Sequence, residues 1–594
     1  MDHAQFWPVL TSGIAILRMI PLVENGLKPI KPRQLDNEWI LKVYATALLG
    51  LILVFSFFHW ARFVAVRYRW SSSHALRQLR GFQIALVLIR ACRSYAVRKA
   101  PGLPSFGHVV LVAAYLMLNI ALCVTNVTMA KMSNPAARFG WMTAANITLA
   151  VFLGLRNSPL GILTSHTYNR LNVLHRVVGY TAIAQMILHA IFYMMRFGSK
   201  HRWDVFLNRP NLEGSISGVG MLVLLFGLLR HRGYEAFVIS HIMGSFITIL
   251  FAGLHRPVWR HKIPIIMMVA AGLWIFDRLV RAVTLFSNLY KTKAALYPLP
   301  KGGIRLVVRA QLKKFKPGTH ASVWIPGIRA MQTHPFTVVS STASGLEMVI
   351  KSHRGFTKDI YNYATLSPGS PISASVEGPY GSLPNLEHFD RIVLIAGGSG
   401  GAFTFGLANT LLSNLEPGSP RLVDFFWSVR SKENLTWFAR SLDDLSSYPS
   451  NIRVALHVTE LPNITTPYRD YSPGSSTPAL IAAGDFLPQI GQGGTVESLH
   501  RLVLDSSLAW QRNTPLRSEE FDSIHLDAKF NIKYERLRVR EAVYDVVQSM
   551  GINQRVLIAA CGPQSMMNDV MAAAGKCISS DGPSVEVHCE NFEW

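Results

Sequence analysis

Four histidines lie inside stretches of this chain that are otherwise long and apolar. His175 and His189 fall in LNVLHRVVGYTAIAQMILHAIFYMM (Leu171–Met195), and His241 and His255 in YEAFVISHIMGSFITILFAGLH. The interval is 14 residues in both stretches, from 175 to 189 and from 241 to 255. At about 100° per residue, fourteen steps return to within about 40° of the starting face, about 21 Å further along a helix. Two such helices running the same way set His175 opposite His241 near one membrane face and His189 opposite His255 near the other. An ionisable side chain at membrane depth is costly and marks a functional site by default. Neutral imidazole is a good axial ligand for haem iron, so two stacked imidazole pairs predict two b-type haems. His108 and His166 flank apolar stretches without partners at a matching interval and are read as structural.

The elements that must position these residues follow from composition. Of 594 residues, 49% are hydrophobic and 16% charged, which points to several domains, part of them in a membrane. Seven stretches are candidate spans: Trp39–Trp60, Val109–Val124, Trp141–Leu155, Leu171–Met195, Ile216–Leu229, Tyr234–Leu254 and Ile263–Leu285. The third and fifth are short against the usual requirement of about 20 residues. The segment Phe6–Ile20 is too mixed to span and reads as interfacial; no cleavable signal peptide is expected. The net charge of +24 sits beside apolar stretches, as in RQLRGFQIALVLIRACRSYAVRK, and no nucleic-acid recognition motif accompanies it. Membrane lipids, not nucleic acid, are the expected partner. The positive-inside bias puts this Arg-rich loop in the cytosol, the N-terminus outside, and everything after the seventh span in the cytosol. Five cysteines show neither paired nor metal-knuckle spacing.

The remaining half alternates strand-like runs with Gly/Pro turns and helical patterns, as a two-domain region does. HPFT, from His334 through Pro335 and Phe336 to Thr337, lies between strand-like runs and suits a flavin, which needs hydroxyl and backbone donors beside a flat apolar neighbour. Downstream, Lys351, Gly355 and Thr357 precede a helical pattern, an arrangement suited to a pyrophosphate at a helix N-terminus. In RIVLIAGGSGGAFTFGLANTLL a buried strand meets a glycine turn (Gly397, Gly398, Gly400, Gly401) and a helix opens. That order fits dinucleotide phosphates, although the spacing is not G-x-G-x-x-G. Arg430 follows the next strand, where a guanidinium fork would grip a 2′-phosphate. A later strand ends at Cys561-Gly562-Pro563, and the sequence given ends in CENFEW. Thr465–Gly494, rich in Ser, Pro and Gly, reads as a disordered insertion.

Together these motifs resemble the fungal-type ferric reductase transmembrane components, in the superfamily that also holds the NADPH oxidases, from about Val109 onward. The resemblance implies a helical transmembrane haem bundle, then a ferredoxin-reductase-like β-barrel FAD domain and an α/β NADPH domain. Expected boundaries are 1–107 for the N-terminal segment, first span and basic loop, and 108–290 for the haem domain. The FAD domain then covers 291–388 and the NADPH domain 389–594, with an insertion at about 462–527. By the same resemblance His175, His189, His241 and His255 ligate haem iron, and His334–Thr337 line FAD, with Gly355 and Thr357 near its phosphates. Gly397, Gly398, Ser399 and Gly400 cradle NADPH phosphates, Cys561, Gly562 and Pro563 sit by the nicotinamide, and Phe592 and Trp594 cover the flavin. The implied activity is electron transfer from cytosolic NADPH to a ferric or cupric chelate, such as citrate or a siderophore, outside the plasma membrane. Separate proteins would then take up the iron. Two alternatives stay open: an oxidase reducing O₂ to superoxide, and a haem-binding scaffold without reductase activity.

Overall fold

The computed structural model describes residues 32–68, 80–128, 131–156, 158–164, 168–230, 233–256, 262–309, 315–342, 345–414, 419–460, 529–579 and 582–590. Phe6–Ile20, His166, Arg260, His261, the 462–527 insertion, Phe592 and Trp594 lie outside these residues.

Among the described residues, seven helices are long and apolar enough to cross a membrane. They are α1 (Pro32–Arg67), α3 (Phe106–Val124), α4 (Ser133–Gly154), α5 (Tyr168–Ser199), α6 (Arg209–Val223, with a 3₁₀ continuation through Leu229), α7 (Tyr234–Leu254) and α8 (Ile263–Leu289). The two stretches that looked short in sequence are full length, because Ser133–Trp141 and Arg209–Ile216 are helical despite their polar residues. The Arg-rich stretch expected as a loop is instead a helix, α2 (Arg80–Val97). Its apolar and basic residues alternate at helical spacing, a signal that the count of arginines hides.

The chain folds as two compact units. One takes in the stretch through Leu51 with Leu116–Leu149 and Val178–Ala270. Its interior is held by polar contacts where apolar packing against lipid supplies no driving force. The Asn146 amide on α4 donates to Asn119 of α3 (2.7 Å) and Gln185 of α5 (2.8 Å), while its oxygen accepts from the Tyr44 hydroxyl of α1. The buried Arg138 guanidinium donates to Leu122 O (2.6 Å) and Thr125 O (2.8 Å), carbonyls that the end of α3 leaves without helical partners. On α6 and α7, Gly220 and Gly244 let the backbones meet: a Cβ on Gly244 would lie 3.0 Å from Gly220 O.

The second unit holds Ile52–Tyr115, Ala150–Val177 and everything from Ala271. Strands β1 (Lys293–Leu299), β2 (Gly303–Arg309), β3 (His320–Trp324), β4 (Thr333–Thr342), β5 (Gly345–Lys351), β6 (Ile372–Ser373) and β7 (Ser375–Tyr380) form one curled antiparallel sheet. Their order is β6-β1-β2-β5-β4-β3-β7, and α9 (Phe356–Leu366) packs against β1. Arg281 of α8 makes a forked salt bridge to buried Glu377 of β7 (3.0 and 3.2 Å), and Asn288 donates to Val376 O (2.7 Å).

Next come β8 (Arg391–Gly397), α10 (Gly401–Leu412), β9 (Leu422–Val429), α11 (Ala439–Ser446), β10 (Ile452–Val458), β11 (Ile532–Lys533), α12 (Val539–Gln548), β12 (Arg555–Cys561), α13 (Gln564–Cys577) and β13 (Ser584–Glu590). The six strands run parallel in the order β11-β10-β9-β8-β12-β13. Strand β8 is buried from Ile392 to Gly397, as a parallel strand covered on both faces must be. Because successive strands run outward from β8 on one side and from β12 on the other, the order reverses between β8 and β12. A doubly wound sheet opens its ligand crevice at that point, beyond the strand C-termini. Helix α10 fixes this sheet to the antiparallel one: Asn409 donates to Val339 O (3.0 Å), and Gly406 lies against Gly318, where a Cβ would meet Val338 O at 3.0 Å.

Candidate functional site

In the first unit the rings of His189 and His255 lie 6.2 Å apart, centre to centre, at 84° to one another. An iron held between two imidazoles requires ring centres about 6.3 Å apart, from metal–nitrogen bonds of about 2.0–2.1 Å and about 1.1 Å from each nitrogen to its ring centre. Each ring is also oriented. His189 Nδ1 lies 2.7 Å from Ala136 O, and His255 Nδ1 lies 2.5 Å from Pro210 O. A carbonyl only accepts, so each Nδ1 is the donor and each Nε2 keeps the lone pair a metal needs. These two residues fit as nitrogen donors to a haem iron.

The space for this arrangement comes from glycine. A Cβ on Gly140 would lie 2.6 Å from His189 Nδ1, and one on Gly214 would lie 2.7 Å from His255 Cε1. In both cases the accepting carbonyl belongs to the residue four positions before the glycine. In the second unit the pattern recurs: His175 Nδ1 lies 2.8 Å from Ala150 O, and a Cβ on Gly154 would lie 3.2 Å from that nitrogen. His241 stands on α7 with its ring 5.4 Å from that of Phe237. His108 accepts or donates locally, 2.9 Å from Ser105 Oγ at the start of α3.

The HPFT residues form the first half of β4. His334 stacks on Phe356 at 4.1 Å and 5°, and Phe336 stacks on the same ring at 6.3 Å. Thr337 is buried, opposite His320 of β3. Gly355 precedes α9 with φ +72°, and nothing lies within 4 Å of where its Cβ would be, so the backbone at that helix N-terminus stays open. The Thr357 hydroxyl accepts from His353 N (2.8 Å), which fixes the turn, and Lys351 is exposed at the end of β5.

At the crevice the ends of β8 and β12 nearly touch. A Cβ on Gly397 would lie 2.5 Å from Pro563 Cδ, and one on Gly400 would lie 3.0 Å from Gly562 N and closer still to Cys561 O. Gly398 has φ +55° with open space around it, and its carbonyl accepts from Trp427 Nε1 (3.0 Å). Ser399 lies in the same 3₁₀ turn, directly before α10. The glycine turn, Ser399 and Cys561–Pro563 are thus gathered into one crevice from residues more than 150 positions apart. Cys561 is buried, and desolvation, with Glu590 and Cys589 adding to it, holds its thiol well above the usual range.

Three family models match successive parts of the chain. Residues 139–252 match the ferric reductase like transmembrane component, 288–383 an FAD-binding domain and 389–574 the ferric reductase NAD binding domain. This chain carries the three domains of the ferric reductase family. It is 24% identical over 384 residues to ferric/cupric reductase transmembrane component 2 of Schizosaccharomyces pombe, covering 55% of this chain and 66% of that one. It is 23% identical over 526 residues to the Saccharomyces cerevisiae protein of the same description, covering 78% and 71%. It is 27% identical over 344 residues to a probable cell surface ferric reductase of Aspergillus oryzae, covering 52% of this chain but only 45% of that relative.

Other features of this ferric reductase-family chain were not singled out in its sequence. Gly140 and Gly154 are 14 residues apart, the interval of the histidines, and that repeat is the signal that finds them. His320 lies beside the HPFT strand, its ring 5.8 Å from that of Tyr380 and its Nδ1 3.2 Å from where a Cβ on Gly381 would lie. Burial pushes its imidazole down to about 4, with Glu590 opposing and Arg156 adding to the shift. Burial and a bond to Glu377 push the Tyr380 phenol up. Arg430 follows β9 and is largely exposed, but its guanidinium is paired with Glu460 at 3.0 Å. Basic side chains in the segments that follow α5 and α7 are paired. Lys262 is paired with Glu38, and Arg202 is forked onto Asp204, Nε to Oδ1 and Nη2 to Oδ2, both at 2.8 Å.

Proposed function

We propose that this chain carries electrons across a membrane from NADPH to a ferric or cupric chelate. The observation that carries the reading is the His189–His255 pair, spaced for a metal and held in the metal-binding tautomer by two backbone carbonyls. The relatives named above are described as ferric or cupric reductases, and one as a cell-surface protein, which supports the same activity and the plasma membrane. Bound, FAD takes up a hydride and gives out single electrons, which haem iron passes on one at a time.

The chain's own residues have distinct tasks. His175, His189, His241 and His255 would supply nitrogens to haem iron, and the carbonyls of Ala136, Ala150 and Pro210 orient three of them through Nδ1. His334–Thr337, with Lys351, Gly355 and Thr357, would hold the flavin and its phosphates. Gly397–Gly400 admit the nucleotide phosphates, Gly562 and Pro563 shape the nicotinamide side beside Cys561, and Arg430 takes a 2′-phosphate in place of Glu460. Phe592 and Trp594 would cover the flavin. The domain boundaries we assign are 108–290, 291–388 and 389–594, with the N-terminus outside and the reductase domains in the cytosol. Iron reduced outside would pass to separate uptake proteins.

A dithionite-minus-oxidised spectrum of solubilised protein should show b-type haem, reduced by half or more when His189 or His255 is replaced by alanine. Anaerobic reduction of ferric citrate by intact cells should depend on the same residues. Haem content unchanged in both variants would refute the ligand assignment. Activity that needs O₂ and is abolished by superoxide dismutase would replace the metalloreductase with an oxidase.

A further inference from the structure

The helix between the first two spans has no part in the redox sites, yet its two faces are sharply unlike. On one, Arg90 and Ser94 are buried, and the Arg90 guanidinium donates to Ser579 O (2.7 Å) and Gly582 O (3.1 Å), just beyond α13. Gly575 of α13 permits the approach, since a Cβ there would lie 3.2 Å from Ser94 O and from Arg98 Cγ. On the other face Ile84 (62%), Leu88 (59%) and Tyr95 (64%) are exposed, together with Ala91 and Cys92. At about 100° per residue those five positions fall within an arc of about 100°.

An all-apolar exposed stripe marks a surface that something covers, and the chain path says what covers it. Phe106, the first residue of the span α3, donates its N–H to Arg98 O at 3.0 Å. At the residue immediately after α2, then, the backbone is bonded to the first residue of the span. Arg80, Arg93, Arg98 and Lys99 supply the positive charge that an anionic headgroup layer attracts.

We propose that α2 lies in the headgroup layer of the bilayer, its Ile84–Leu88–Ala91–Cys92–Tyr95 stripe sunk toward the acyl chains. Its opposite face then holds the nucleotide-binding domain at the membrane surface through Arg90. The helix is thereby a strap: lipid fixes one side of it, and α13 is bonded to the other.

The native Cys92 thiol reports on this directly. In full-length protein carrying Cys577→Ser and Cys589→Ser, it is the accessible thiol among the described residues, since Cys123 and Cys561 are buried. Labelled with an environment-sensitive fluorophore in phosphatidylcholine–phosphatidylserine nanodiscs, it should emit to the blue and lose intensity several-fold when the acyl chains are brominated. The same label at exposed Ser447, introduced as Ser447→Cys with Cys92→Ser, should not be quenched. Emission at Cys92 that is blue-shifted but insensitive to bromine would mean a protein covers the stripe, and water-like emission would mean nothing does; either overturns the proposal. Arg90→Ala should leave Cys92 quenched while amide hydrogen exchange rises in the last turn of α13. Unchanged exchange there would remove the strap and leave only a membrane-surface helix.

Discussion

Gly140→Ala adds a single methyl group and tests how the His189 imidazole is held. The new Cβ would lie 2.6 Å from His189 Nδ1 and 2.7 Å from Cε1, where unstrained contacts sit at about 3.5–4.0 Å. The ring must retreat by about 1 Å, enough to stretch its 2.7 Å bond to Ala136 O beyond hydrogen-bonding range. Overpacking of this kind costs about 1–3 kcal/mol, and a lost hydrogen bond about 0.5–1.5 kcal/mol. Loss of a group that orients a metal ligand lowers metal affinity about 10–100-fold, which is the same range of energy. Helix propensity works the other way, favouring alanine by about 0.5–1 kcal/mol, so the comparison must be with another helical glycine. Gly272 of α8 has nothing within 4 Å of its Cβ position and serves as that control; Gly154, at 3.2 Å from His175 Nδ1, is intermediate. The assay is transfer of haem from purified protein to an excess of apomyoglobin, followed by absorbance and normalised to flavin content. Transfer should be fastest for Gly140→Ala, slower for Gly154→Ala and unchanged for Gly272→Ala. If Gly140→Ala holds haem as tightly as Gly272→Ala, the glycine–carbonyl cradle is not what positions His189.

Two further outcomes follow from the second unit. Arg430→Ala should raise KM for NADPH about 10-fold, the worth of one charge-assisted contact of about 1.5 kcal/mol, while leaving KM for NADH and the thermal midpoint nearly unchanged. The small stability effect is expected because the Arg430–Glu460 pair is exposed; equal changes for both nucleotides would refute a 2′-phosphate contact. His320 has a folded-state pKa of about 4, below its ordinary 6.5. The unfolded chain therefore binds a proton between these values that the folded one refuses, so this contribution to stability is complete above about pH 6.5 and is lost as pH falls toward 4. Replacing His320 by asparagine should flatten the fall in thermal midpoint between pH 6.5 and 4.5; an unaltered slope would place the acid sensitivity elsewhere.

Much of this molecule is fixed by local pattern. The seven apolar stretches, the 14-residue intervals of the histidines, the wholly apolar β8 and the glycine turn after it are all legible residue by residue, because hydrophobic period and backbone freedom are properties of neighbours in the chain. The arginine-rich stretch reads as a loop in sequence because its count of charges masks a helical period. What local pattern leaves undecided is which distant atom each group meets. Only the folded chain pairs His189 with Ala136 O across 53 residues and His255 with Pro210 O across 45, which selects the tautomer of each ring. Only the strand order puts β12 beside β8 and so brings Cys561–Pro563 against Gly397–Gly400. The charge between α7 and α8 is likewise a tertiary matter, since Lys262 is paired with Glu38 more than 200 residues earlier. A hydrogen bond or ion pair depends on a few tenths of an ångström between segments whose separation in sequence carries no distance information, and that is why these contacts belong to the fold alone.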